Sequence, residues 1–242
     1  MQPSFRFDNQ AVFVLHTYPF KETSLVVELF SHDHGRVATT AKGARRPRSA
    51  MRGMLQSFQP LMATWSGKSE LKTLHSLDWA GGLLLLKGEA LMCGFYLNEL
   101  LLRLLPREDA HEALFIYYGA TLKTLAGEVD LATTLRRFEL KLLQELGYAI
   151  PLQQDSRGAS VLPEQSYVYQ AEQGAQPIQA TGYAAQNGVQ LLGKTLLDMA
   201  GDDYTQPQTL QQSKQLMRYL LAHYLGDQPL YTRQLLIDMQ GL

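Results

Sequence analysis

Short apolar runs separated by turn residues fill the first eighty positions, and longer stretches with apolar residues three and four apart fill most of the remainder. Residues 11–18, AVFVLHTY, are dense in β-branched and aromatic side chains and end at Pro19. Residues 24–31, SLVVELFS, make a second such run. His32-Asp33-His34-Gly35 then has turn chemistry, with Gly35 supplying positive φ, and residues 36–42 return as a third strand. Residues 54–66 and 70–77 add two more. Five short strands with a hairpin between the second and third predict a small closed barrel. The five-stranded OB barrel is the first candidate and an SH3-like barrel its competitor.

The texture changes after Ala80. Residues 83–105 have helical periodicity and stop at Pro106, and residues 109–126 form a second helix closed by Gly127. Asp130 can cap a third, on which Leu131, Leu135, Phe138, Leu142 and Leu146 share a face. Gly147 supplies its stop, with Pro151 beyond. Residues 151–182 are polar and rich in Gly, Pro and Gln, with a small hairpin expected from Tyr167-Val168-Tyr169 and Pro177-Ile178. Helices resume at about 184–199, 208–225 and 231–239. The expected fold class is α+β, an OB barrel over residues 1–80 followed by a mostly helical domain over 81–242.

Composition fits a folded protein, with 45% apolar and 19% charged residues. The apolar stretch 83–105 is broken by Lys87, Glu89, Asn98, Glu99 and Arg103, so it reads as a buried helix and not a membrane span. The opening Met1-Gln-Pro-Ser-Phe-Arg-Phe-Asp8 has no apolar run of the signal-peptide kind, and a cytoplasmic location is expected.

The distribution of charge is more informative than its total. Residues 34–69 hold Arg36, Lys42, Arg45, Arg46, Arg48, Arg52 and Lys68 and no Asp or Glu. The chain's formal net charge is −1, so removing these seven cations leaves −8 for the rest. A one-sign field of this length attracts polyanions and releases their counterions on binding. Gly43 and Pro47 suggest that the densest part is a mobile loop between strands. Arginine matches phosphate bidentately and stacks on bases, which favours nucleic acid over mere solubilisation. The competing reading makes these residues solvated surface, or anchors for acidic helices of the same protein.

Other chemistry is sparse. Cys93 is the only cysteine, which excludes an internal disulfide and a four-cysteine zinc site, and its mid-helix position reads as a small buried residue. His16, His32 and His34 have no compact carboxylate group to complete a metal site. Gly67-Lys68-Ser69-Glu70-Leu71 lacks the closing glycine of a nucleophile elbow, and no Walker A loop or Gly-x-Gly-x-x-Gly follows a strand. Asp202-Asp203 reads as a helix-capping group after Gly201. No catalytic residue and no cofactor are assigned. Of the rings flanking the basic segment, Phe30, Phe58 and Trp65, each reads first as core, and Trp65 is the best candidate to stack on a base. A second basic group, Arg136, Arg137 and Lys141, lies on the third helix. It reads either as an intrahelical ladder with Glu145 or as an anchor for an acidic peptide beside a leucine-lined groove.

Phe13-Val-Leu-His-Thr-Tyr-Pro-Phe-Lys-Glu-Thr-Ser-Leu25 resembles the opening of the bacterial RecO family of recombination mediators, as does His34-Gly-Arg-Val37 leading into Ala41-Lys-Gly-Ala-Arg45. Leu71-Lys-Thr-Leu74, Tyr96-Leu-Asn-Glu-Leu100, Leu135-Arg-Arg-Phe-Glu-Leu140 and Leu146-Gly-Tyr148 follow in the family's order. Residues 150–242 match only in length and helical texture. The resemblance implies a non-enzymatic protein that binds single- and double-stranded DNA and anneals complementary strands. It implies cooperation with RecR, contact with the acidic C-terminal tail of single-stranded-DNA-binding protein, and loading of RecA during repair. Many members carry a four-cysteine zinc motif after the Leu-Gly-Tyr segment, whereas residues 149–182 here contain no cysteine. The expected DNA contacts are Arg36, Lys42, Arg45, Arg46, Arg48, Arg52, Lys68 and Trp65, and the expected peptide contacts Arg136, Arg137 and Lys141. A protein-interaction adaptor and an RNA-binding accessory factor are the alternatives.

Overall fold

A computed structural model describes residues 5–82, 85–127, 130–148, 150–178, 188–226 and 229–240, the stretch 236–240 by its backbone alone. By contact the chain divides into two compact units, Met1–Val129 with Leu230–Leu242, and Asp130–Pro229. This division differs from one at residue 80, because two helices after the strands pack with them.

In the first unit, β1 (Arg6–Phe20), β2 (Ser24–Ser31), β3 (Gly35–Ala41), β4 (Leu61–Ser66) and β5 (Leu71–Trp79) close into a barrel in the order β1-β2-β3-β5-β4. That order, with β3 and β5 parallel, is the OB arrangement and not the SH3-like one. The run at 12–15 is apolar throughout because both faces are covered. Val12 and Val14 point into the barrel with Val27, Leu29, Leu61, Trp65 and Leu74. Phe13 points outward, 5.1 Å from the rings of Phe115 and Tyr118 on α2 (Glu112–Leu125). A bulge in β1 interrupts the register between Val14 and His16. The carbonyl of Leu15 there accepts from Asn98 Nδ2 at 2.8 Å, and Tyr118 donates to Asn98 Oδ1 at 2.5 Å. Asn98 belongs to α1 (Gly88–Leu104), so a buried polar pair ties both helices to the barrel. On α1, Glu99 accepts from the backbone N–H groups of Tyr231 and Thr232 at 2.8 and 2.9 Å, at the start of α6 (Tyr231–Gln240). A carboxylate at a helix N-terminus satisfies free donors and complements the dipole.

In the second unit, Asp130 caps α3 (Leu131–Glu145) as expected, accepting from Ala132 N. The helix ends as Gly147 predicts, with φ of 80° and N–H bonds from Gly147 to Gln144 and from Tyr148 to Leu143. The hairpin at 166–177 forms as β6 (Ser166–Gln170) and β7 (Gly174–Pro177). It gains a third strand, β8 (Val189–Leu192), where a helix over 184–199 was expected. Helix α4 (Gly193–Ala200) starts only at Gly193, where a β-carbon would meet Leu162 backbone, and residues 184–187 lie outside the described stretches. Helix α5 (Pro207–Leu225) follows.

Candidate nucleic-acid interface

The acid-free segment leaves the barrel at the end of β3. It is not an open loop but a chain of tight turns. Arg46 N bonds to Gly43 O, Ser49 N to Arg46 O, Arg52 N to Ser49 O and Met54 N to Met51 O, all at 3.0–3.2 Å. Gly43 takes φ of +71°, and Arg46 lays its aliphatic stem over it. Beneath the turns Ala44 is fully buried, and Met51, Met54 and Leu55 pack on the barrel core. Arg45 fastens the segment to the β1–β2 turn, with its N–H on Thr23 O at 2.9 Å and its guanidinium on Glu22 O at 3.3 Å. The sequence therefore spends its small and apolar side chains on the barrel and turns its cations outward. Lys42, Arg45, Arg46, Arg48 and Arg52 are exposed, and none has a carboxylate partner among the described residues. Lys68 is also exposed, on the separate β4–β5 turn, with its ammonium 4.4 Å from the Phe5 ring centre.

Two expected DNA contacts are corrected. Arg36 is half-buried on β3, donating to Leu105 O at 3.1 Å and facing Glu28 at 3.6 Å. Glu28 is 4% exposed and also accepts from Arg107 at 2.6 Å, and Arg107 pairs with Glu70 in turn. Burial lowers the Arg36 pKa from its ordinary value, while Glu28 opposes the shift. Arg36 thus neutralises an internal carboxylate and docks the connector between α1 and α2. Trp65 is 0% exposed, stacked on Phe7 at 5.6 Å inside the barrel, and has no face for a base. Phe30 and Phe58 are core, as their first reading held. The sequence reading weighed His16 only as a metal ligand and did not weigh Tyr18 or Phe20 as stacking rings. His16, Tyr18 and Phe20 alternate along β1 after the bulge, and Tyr18 is 45% exposed.

The helical cations all have intramolecular partners. Lys141 pairs with Glu145 at 2.6 Å, one turn on, as the ladder reading predicts. Arg136 is buried against Glu139 at 2.5 Å. Arg137 is exposed, bonded to Asp202 at 2.6 Å and lying over the Tyr204 ring. Asp202 is therefore an ion-pair partner and not a helix cap, while the Asp203 carboxylate accepts from Thr205 N at 2.9 Å and Gln206 stands at the start of α5.

Among the described residues no three His, Cys, Asp or Glu side chains group as metal ligands. His32 bonds to Asp33, His34 lies edge-on to Trp65, and Cys93 is buried. Residues 149–182 do not offer the thiolates of a four-cysteine zinc site. A hydrogen-bonded turn is found there. The buried Asp155 carboxylate accepts from Arg157 N at 2.8 Å and Ala159 N at 2.9 Å, and Ser156 N bonds across to Ala175 O. Removing that carboxylate strands two backbone donors, so Asp155→Ala is expected to cost about 1–2 kcal/mol. Chelator is expected to leave the melting temperature unchanged in wild type. One tightly bound zinc per chain by metal analysis would overturn this account of the segment.

No helix among the described residues is long and apolar enough to cross a membrane. Two family models match the chain, "Recombination protein O N terminal" over residues 6–83 and "Recombination protein O C terminal" over 85–234. The chain is 54% identical over 238 residues to the DNA repair protein RecO of Nitrosospira multiformis, covering 98% of both chains. It is 56% identical over 241 residues to that of Aromatoleum aromaticum, again covering 98% of both. With that of Thiobacillus denitrificans it shares 51% identity over 251 residues, covering all of this chain and 96% of the relative.

Proposed function

Because the chain belongs to the RecO family of DNA repair proteins, we propose that it is a recombination mediator that acts by binding DNA and not by catalysis. The observation that carries this reading is the outward, carboxylate-free row of Lys42, Arg45, Arg46, Arg48 and Arg52 on an OB barrel. With Lys68, these cations hold phosphate backbones of single and double strands, and residues 1–80 are the DNA-binding domain. Shielding of phosphate by a row of guanidinium groups lowers the repulsion between complementary strands, which promotes annealing. Together with RecR the protein helps to load RecA on DNA coated by single-stranded-DNA-binding protein, in the cytoplasm at the nucleoid.

Residues 81–242 hold the protein partners in this reading. The acidic tail of single-stranded-DNA-binding protein binds at Arg137, with Lys141 one turn on, by exchanging places with Asp202, while Arg136, buried against Glu139, stays out of the contact. An exposed pair of this kind is worth about 0–1 kcal/mol, so the exchange costs little. Asp202→Ala is therefore expected to tighten binding of a labelled tail peptide by up to about fivefold. Arg137→Ala is expected to weaken it by about 1.5–3 kcal/mol. Tail binding that ignores both changes would place the peptide elsewhere.

Competition tests the reading against its rivals. A short single strand should occupy the barrel and be displaced by excess DNA far better than by an acidic peptide. Displacement by the peptide at similar concentration would favour an adaptor that docks acidic proteins. Tighter binding of the matched RNA strand would favour an RNA-binding factor.

A further inference from the structure

The turn between β1 and β2 brings the basic segment against the end of an aromatic row. Past the bulge, His16, Tyr18 and Phe20 occupy alternate positions on β1, so their side chains leave the same face. That face is the outer one, because Thr17 between them pairs with Val27, which points into the barrel core. The His16 and Tyr18 rings meet edge to face at 4.4 Å, and Lys21 holds its ammonium 5.2 Å from the centre of the Phe20 ring. Arg45 reaches back to the carbonyls of Lys21 and Glu22, and Lys42 follows Ala41, whose partner across the sheet is Leu25. Unpaired cations therefore adjoin one end of a solvent-facing row of rings.

We infer that His16, Tyr18 and Phe20 form a stacking platform for unpaired bases, with Tyr18 at its centre, and that the adjoining cations hold the backbone of the same single strand. The inference rests on the reading of the barrel as a DNA-binding domain and adds to it a means of preferring single strands. Phosphate contacts are blind to whether bases are paired. A ring can stack only on a base whose face is free, and every base has such a face, so the platform is tolerant of sequence. Bases stacked in the duplex have no free face for Tyr18.

The test compares a single strand and its duplex on wild type, Tyr18→Ala, Tyr18→Leu and Tyr18→Phe, at several salt concentrations. Tyr18→Ala and Tyr18→Leu are each expected to lose roughly tenfold in single-strand affinity. Their salt slope and duplex affinity should stay at wild-type values, and Tyr18→Phe should bind as wild type does. The leucine variant retains bulk, so its loss cannot be ascribed to a hole in the surface. Wild-type single-strand affinity in both the alanine and leucine variants, or equal losses on single strand and duplex, would overturn the inference. If Arg45, Arg46 and Arg48 variants still lose DNA binding in that case, the broader reading survives. If they bind normally as well, both fail.

Discussion

Replacing Glu28 by alanine is expected to cost about 3 kcal/mol of stability, and to lower the melting temperature of the first unit by roughly 10 °C. Glu28 is 4% exposed and faces two guanidinium groups, Arg107 at 2.6 Å and Arg36 at 3.6 Å. Removing the one acid leaves the Arg36 guanidinium, 17% exposed, held by the Leu105 carbonyl. An uncompensated charge in that place is far costlier than a lost surface pair. The figure lies at the low end for a broken buried pair because Arg107, at 35% exposure, can turn to water and keeps Glu70. Arg107→Ala should therefore cost much less than Glu28→Ala. Thermal melts of the two variants decide the matter, and equal small losses would mean that the cluster is far more hydrated than the structure indicates. The same cluster explains why α1 and α2 stay with the strands. The connector after Leu105 passes so near β3 that a β-carbon on Gly35 would run into the Asp109 carbonyl.

Much of this was legible in the sequence where one residue type has one use. Gly35 and Gly147 mark their turns because positive φ excludes most side chains, and both take it, at 61° and 80°. The acid-free run was legible because charge needs no fold to be counted. What failed depended on contacts distant in sequence. Arg36 belongs to the same basic run, but its acid, Glu28, sits across the hairpin and its carbonyl partner 69 residues away. Trp65 alternates with polar neighbours on β4, and nothing local says that its side is the closed interior. β1 begins at Arg6, five residues before its apolar run, because pairing with β4 holds polar residues extended. Val189-Gln-Leu-Leu192 is an apolar stretch running into a helix, and only pairing with β6 makes it a strand. Tyr18 was not singled out, because a β-strand pattern predicts faces only until a bulge shifts them, as between Val14 and His16.

The triple substitution of Arg45, Arg46 and Arg48 by alanine is expected to reduce single-strand affinity on the order of a hundredfold near 100 mM salt. Each exposed cation that meets a phosphate releases about 0.7 of a counterion from a single strand, and three such contacts are removed. The loss should be the same for unrelated sequences, because phosphates carry none. The turns should survive, since their bonds run between backbone groups and their apolar anchors are Ala44, Met51, Met54 and Leu55. An unchanged melting temperature is thus part of the expected result. A loss confined to one sequence would point to base contacts by these arginines instead.

The most direct test is the salt dependence of single-strand binding in wild type and the triple variant. Six exposed cations, Lys42, Arg45, Arg46, Arg48, Arg52 and Lys68, predict a log–log slope of roughly −4 in wild type and roughly −2 in the variant. A wild-type slope near zero, or the same slope in both proteins, would contradict the assignment of DNA binding to this face of the barrel.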